Sequence, residues 1–265
     1  MKIFICGSAS GTEPVKGRHH SAWILESGNK LYQFDAGENS VCQAYLNGLS
    51  PCRLQALFNT HPHFDHIGGL PHLLWTIRKI INKKWDTMDM VPLPVYTPDP
   101  QILEHAFAFL GHSEFAGIRD ATAVKIRDGV IFDDGTVKVE AFHNRHLGIP
   151  EDGNWKSFSF RINCEGKTIV DSGDLHSTEE LTEMLNKKCD LLMMESGHHH
   201  PWESAEKLLA MPNIPEKLLF RHHGRDIINR YEETVSRTRQ VWSGQELFFA
   251  EDGMSLYILA EKSAS

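Results

Sequence analysis

Short apolar runs dominate the chain, and most are bounded by glycine, asparagine or aspartate rather than by long polar tracts. MKIFICG reads as a strand, and AWILESGNKLYQFDAG reads as two strands joined at Ser27, Gly28 and Asn29. ENSVCQAYLNG has helical spacing with a glycine stop. LQALFNT is a short, uninterrupted apolar strand. GLPHLLWTIRKIINKK then places apolar residues at helical intervals and ends on lysines, as a helix C-terminus favours. VPLPVYTP predicts a strand and Gln101 to Leu110 a helix. Further on, GVIFDDGTVKVEAF predicts a hairpin turning at Asp134 and Gly135, and SFSFRINCEGKTIVDSGD predicts two more strands. STEELTEMLNKK opens with a Ser177/Glu180 capping box and reads as a helix. CDLLMMES and KLLFRHH are buried strands with one helix between them and another after. ELFFAEDGMSLYIL predicts a closing hairpin. The strands fall in two sets, which predicts two sheets packed face to face with helices outside.

Composition narrows the class without naming it. The chain has 265 residues, 41% hydrophobic and 23% charged, ordinary for a globular domain, and residues 1–265 read as one domain. No apolar run approaches the ~20 residues needed to cross a bilayer, and the N-terminus is too short in apolar residues for a secretory leader. Five scattered cysteines without a CxxC pair predict reduced thiols, a cytoplasmic setting and, at most positions, buried apolar side chains. A formal charge of −8 disfavours a large nucleic acid as partner unless a local basic patch exists. The sixteen histidines are many for this length, and their placement changes the picture.

Most of the notable polar clusters follow strand ends: His61 to His66 after LQALFNT, His146 after VKVEAF, Asp174 after KTIVDSG and His222 after KLLF. Strand ends in α/β layers converge on one rim. In HPHFDH the alternate residues His61 and His63 can hold one ion while Asp65 and His66 face a second. Asp174 offers a bridging carboxylate, and His146 and His222 complete the two sets.

THPHFDHIGG resembles the T-H-x-H-x-D-H-x-G-G signature of the metallo-β-lactamase superfamily. The resemblance runs over nearly the whole chain. The opening GSASGTEP and the strands up to FDAGE are similar to the ribonuclease Z and phosphodiesterase-like branch. TIVDSGD, LLFRHHG and FFAEDGMSLYIL are similar to later segments of that branch. It implies an α/β fold, a four-layer αβ/βα sandwich with its site on the rim between the sheets. Position by position it implies His61, His63 and His146 for one metal, Asp65, His66 and His222 for the other, and Asp174 between them. His146 is preferred to His143, and His222 to His223, although Arg221 stands where the family has a threonine. Asp35 is expected behind the ligands, supporting the turn. A second departure is the segment LGIPEDGNWK before SFSF, residues 147–156, which sits beside the expected site.

The function that the resemblance implies is a binuclear metal-dependent hydrolase, of phosphodiesterase type, with a metal-bridging hydroxide as nucleophile and Asp65 orienting it. The cofactors are two divalent ions, Zn²⁺ first, with Mn²⁺ or Fe as options. His200 is the expected general acid and His199 its substitute. His19 and His20 are candidates for substrate contact, whereas His72 and His105 are ordinary helix residues. A small or nucleotide-derived substrate is expected, with no membrane partner and a homodimer by analogy. The alternatives are hydrolysis of a lactone, thioester or lactam, cleavage at the 3′ end of tRNA, and a non-hydrolytic iron or metal-binding role.

Overall fold

A computed structural model describes residues 1–88, 91–112, 117–118 and 120–259. Apolar residues at successive strand positions divide between two faces, as the period of a strand requires. In β1 (Lys2–Gly7), Ile3 and Ile5 point into the space between the sheets, whereas Phe4 and Cys6 face helices on the outside. Burial on both faces explains why these strands read as continuous apolar runs.

The first sheet joins β1 to β2 (Ala22–Ser27), β3 (Lys30–Phe34), β4 (Leu54–Phe58), β5 (Leu93–Thr97) and β6 (Ala121–Lys125), and β14 (Ser255–Tyr257) closes its other edge. The second runs in the order β13 (Glu246–Phe249), β12 (Lys217–His223), β11 (Leu191–Ser196), β10 (Lys167–Asp171), β9 (Phe158–Cys164), β8 (Val137–His143), β7 (Gly129–Asp133). Helices α1 (Ser40–Leu46), α3 (Leu70–Asn82) and α4 (Gln101–Leu110) cover the first sheet, with the short α2 (Phe64–Ile67) at its rim. Helices α5 (Pro201–Leu209), α6 (Arg225–Asn229) and α7 (Tyr231–Val241) cover the second. The expected four-layer αβ/βα sandwich is what forms. No helix among the described residues is long and apolar enough to cross a membrane.

Between the sheets, rings stack under the rim: Trp23 on Phe34 at 4.2 Å, Phe34 on Phe58 at 4.9 Å and Phe58 on Tyr96 at 4.9 Å, with Phe160 of the facing sheet 5.9 Å from Phe34. Such pairs add about 0.5–1.5 kcal/mol each to the area they bury. They make a rigid floor beneath the ends of β3, β4 and β9.

Two expectations are corrected and one strand is added. ELFFAEDGMSLYIL is not a hairpin: β13 pairs in parallel with β12, and β14 pairs antiparallel with β1 in the other sheet. The intervening turn is held by β1, whose Ile5 N–H donates to the Met254 carbonyl at 2.9 Å and whose Ile5 carbonyl accepts from Gly253. Edge strands with open ladders on both sheets compete for this segment, and each takes half. STEELTEMLNKK keeps its capping box but forms two 3₁₀ turns, Thr178–Leu181 and Met184–Asn186. Glu180 is drawn outward, accepting from the Arg145 N–H at 2.9 Å and Nε at 3.0 Å. Strand β6, the short ATAVK, was not anticipated from the pattern; its pairing with β5 along its whole length decides it.

Candidate metal centre

The turn after β4 begins where Asp35, at the end of β3, fixes it from behind. Asp35 Oδ1 accepts from the Thr60 N–H at 2.8 Å and from Thr60 Oγ1 at 3.0 Å, and Oδ2 lies 2.8 Å from His66 Nδ1. This is the supporting place expected for Asp35 from the sequence. Asp35 itself adopts φ 58°, an unusual conformation for aspartate that costs on the order of 1 kcal/mol and that its hydrogen bonds compensate. The glycine pair after His66 is a packing requirement. A Cβ on Gly69 would lie 2.2 Å from the Gly37 carbonyl oxygen. Gly173, at φ 55° and with a would-be Cβ 2.6 Å from the Phe158 carbonyl, turns the chain so that Asp174 reaches inward.

Asp174 is the hub. Its Oδ2 lies 3.3 Å from His222 Nε2, 3.5 Å from His66 Nε2, and 3.7 Å each from His61 Nε2, His146 Nε2 and His198 Nδ1. Donor atoms of His61, His63 and His146 lie within 4.8 Å of one another, as do those of Asp65, His66 and His222. All seven residues singled out as ligands from the sequence are therefore brought to one place on the rim. His222 takes φ 52°, and Gly197 beside it leaves room for the ring, since a Cβ there would sit 2.6 Å from Nδ1.

The donor set fits cations. His61 Nε2 and Asp174 Oδ1 are buried with no hydrogen-bond partner in the protein, which is costly unless something else fills the space. Imidazole nitrogens and carboxylate oxygens are the ligands that zinc, iron and manganese accept. Without cations, protons and charges must share the cluster. Burial opposes charge on His66, but the carboxylates of Asp35 and Asp174 outweigh it and hold His66 well above its ordinary value. Burial and the neighbouring imidazoles push His61 well down, and burial lowers His146 to about 4. Asp65 and Asp174 remain charged far below the usual carboxylate range, because His222 and His66 outweigh the cost of burying them.

The histidine expected as general acid does not join the cluster. His200 is the N-cap of α5 with Pro201 behind it, and its ring turns away from the cluster, onto Asp226 and flat against Trp202 at 4.6 Å. His199 contacts the Leu175 carbonyl at 3.2 Å and stands 3.4 Å from Glu195 Oε1. The histidine that enters the cluster is His198. Its ring lies 4.8 Å from that of His146, and its Nδ1 is 3.4 Å from Glu195 Oε1. Glu195, beside it, raises His198 to about 9. A signal for this residue pair exists in ESGHHH. Met193 faces the space between the sheets, so Glu195 two residues on shares that face, an odd place for a carboxylate without a partner at the rim.

Other candidates stay outside. His143 pairs with Asp128 at 2.6 Å and stacks on Trp155 at 4.0 Å, and His223 is buried against Ser196 and the Ala250 carbonyl. His19 and His20 bind Asp252 and Glu38, each at 2.7 Å. His72 and His105 are exposed on α3 and α4, along an apolar groove of about 870 Å³ that Phe64 and Ile67 of the metal turn border. Residues 147–156 carry Trp155 and Asn154 to a smaller pocket, about 330 Å³, shared with Lys125 and Arg127. Four of the five cysteines are buried and Cys42 is partly so.

A sandwich of this topology with a His/Asp cluster on its rim defines a metal-binding hydrolase fold. The chain belongs to the metallo-beta-lactamase superfamily, whose family model matches residues 15–223. It is 34% identical over 115 residues to a ribonuclease Z of Methanococcus maripaludis, a match covering 43% of this chain and 35% of that protein. To the ribonuclease Z of Pyrococcus abyssi it is 30% identical over 94% of this chain and 84% of that one. Among solved structures, the metallo-beta-lactamase fold protein YhfI from Bacillus subtilis superposes with a TM-score of 0.74 at 18% identity, over 96% of this chain and 98% of the other. Human tRNase Z, short form, superposes with 0.67 at 21%, over 98% and 100%. A diphosphatase from the PhnP family gives 0.65 at 18%, over 96% of both chains.

Proposed function

We propose that this protein hydrolyses phosphodiesters at a centre of two divalent cations. The observation that carries the reading is the single oxygen of Asp174 set within 3.3 to 3.7 Å of five imidazole nitrogens from four segments. His61, His63 and His146 would hold one ion, Asp65, His66 and His222 the other, with Asp174 shared. Bound zinc, or manganese or iron in its place, would supply Lewis acidity, making a water acidic near neutral pH and drawing charge from the phosphate.

The remaining work falls to the chain. Asp65 has an oxygen 3.2 Å from His222 Nε2 and 3.4 Å from His66 Nε2, so it both binds and orients at the attacking side. His198 is the proton donor to the leaving oxygen. Its Nδ1 faces the cluster, 3.7 Å from Asp174 Oδ2 and 3.4 Å from Glu195 Oε1, and Glu195 favours the protonated ring. The phosphodiester class is supported by the ribonuclease Z relatives and by the diphosphatase and tRNase Z neighbours.

A chromogenic bis-aryl phosphate tests the reading. His63→Ala and Asp174→Ala are expected to lose cleavage, and activity is expected to vanish on chelation and return with Zn²⁺ or Mn²⁺. Full turnover in metal-stripped protein would overturn it. Chromogenic lactones, thioesters and lactams in the same panel separate the other bond classes, and an optical spectrum of the purified protein exposes an iron centre. A second reading, cleavage at the 3′ end of tRNA, is favoured by the names of the relatives; a 3′-extended tRNA precursor assayed beside the small diester decides between the two.

A further inference from the structure

Strand β12 ends in Arg221, His222 and His223, and Arg221 is the residue that departs from the family's threonine. An arginine here is 1% exposed, so its charge has to be matched within the protein. Nε and Nη2 donate to Asp171 Oδ1 at 3.1 and 2.6 Å, and Nη1 donates to Ser21 Oγ. The other Asp171 oxygen accepts from Trp23 Nε1 at 2.7 Å. On its far side, Nη2 lies 4.0 Å from Asp35 Oδ2, the oxygen that holds His66 Nδ1. A buried ladder thus runs from Trp23 through Asp171, Arg221 and Asp35 to His66.

Arg221 also governs the residue after it. His222 is held at φ 52°, an uncommon conformation outside glycine, and the pairing of β11 with β12 shifts register between Glu195 and Ser196, opposite Arg221 and His223. A guanidinium clamped by Asp171 and Ser21 fixes the backbone from which His222 projects. Two of the three ligands in one half of the centre, His66 and His222, are therefore held through the same side chain. His61 in the other half is reached less directly, through Thr60, whose Oγ1 lies 3.0 Å from both Asp35 Oδ1 and His61 Nδ1.

We propose that the Arg221–Asp171 pair is a positioning device for the Asp65, His66 and His222 half of the centre, setting the affinity of that half for its cation. The proposal rests on reading the cluster as a two-ion site. Outer partners of metal-binding histidines typically change affinity about 10–100-fold when removed. Asp171 Oδ1 also accepts from the Gly173 N–H at 3.2 Å, in the turn that presents Asp174; the amide oxygen of an asparagine can keep that bond, so loss of the two charges should fall mainly on one of two ions.

The experiment titrates metal-free protein with Zn²⁺ against a chromophoric chelator and records the melting temperature of the metal-free forms. Arg221→Met with Asp171→Asn removes both charges and leaves none unpaired; Arg221→Lys keeps the charge without the fork. In the double variant one of two zinc equivalents should weaken about tenfold or more while the other stays within about threefold, and Arg221→Lys should fall between. If the double variant does not fold, Arg221→Lys alone decides, by weakening one equivalent or neither. Wild-type protein that takes up two ions, with variants that keep both affinities, overturns this inference alone, whatever happens to melting temperature. Wild-type protein that takes up no metal overturns the two-ion reading and this inference with it.

Discussion

Three neighbouring histidines in ESGHHH have the same chemistry and different fates, set by backbone position. His198 follows the strand end while the chain still faces the rim, and His200 is committed to starting α5. The consequence is an asymmetry between substitutions. His198→Ala should lower kcat by about 10²–10⁴-fold, the usual range for a lost proton donor, with zinc content unchanged. His200→Ala should keep kcat within about threefold. Steady-state cleavage of a bis-aryl phosphate by both variants checks this, and equal losses would remove His198 from the role. Fold-level spacing pointed to this segment for the proposed donor, but letters alone do not say which ring turns inward.

At the level of elements, the hairpin of β7 and β8 shows a turn that ties two sheets together. Asp134 accepts from Lys30 Nζ and Tyr32 Oη of β3, each at 2.8 Å, and from the N–H groups of Thr136 and Val137. Burial alone would raise its carboxyl, but these donors outweigh burial and hold it at about 2. A carboxyl lowered on folding stabilises the protein fully above its unfolded value near pH 4, and that contribution is lost as pH falls through about 2. Asp134→Asn should therefore cost about 1 kcal/mol at pH 7, allowing for solvent screening, and almost nothing at pH 2. Urea unfolding of both proteins across that range measures the difference. This turn was legible because Asp-Gly between alternating residues is a local signal. The C-terminal segment was misread because its two strands obey edges far away in sequence.

For the whole molecule, the metal centre bridges the two sheets. The residues that would hold the ions follow β4 of the first and β8, β10 and β12 of the second. Ions that bind only the folded state stabilise it by about 2.7 kcal/mol at a hundred times the dissociation constant. For a domain of this size that corresponds to a rise in melting temperature of roughly 5–10 °C. Calorimetry with and without Zn²⁺ checks this, and no shift on adding zinc would argue against a centre shared by both sheets.

The sequence by itself determined the sandwich and which seven side chains converge. Burial on both faces writes strands as apolar runs, and glycines and short polar clusters mark where those runs stop at a rim. It also placed Asp35 behind the turn that carries His61 to His66. The tertiary structure alone decided what depends on contacts distant in sequence: the parting of β13 from β14, the turning of His198 rather than His200 toward Asp174, and the burial of Arg221 between Asp171 and Asp35. Local patterns report a residue's neighbours along the chain, whereas the direction of a side chain at a strand end is set by the partner that meets it across the fold.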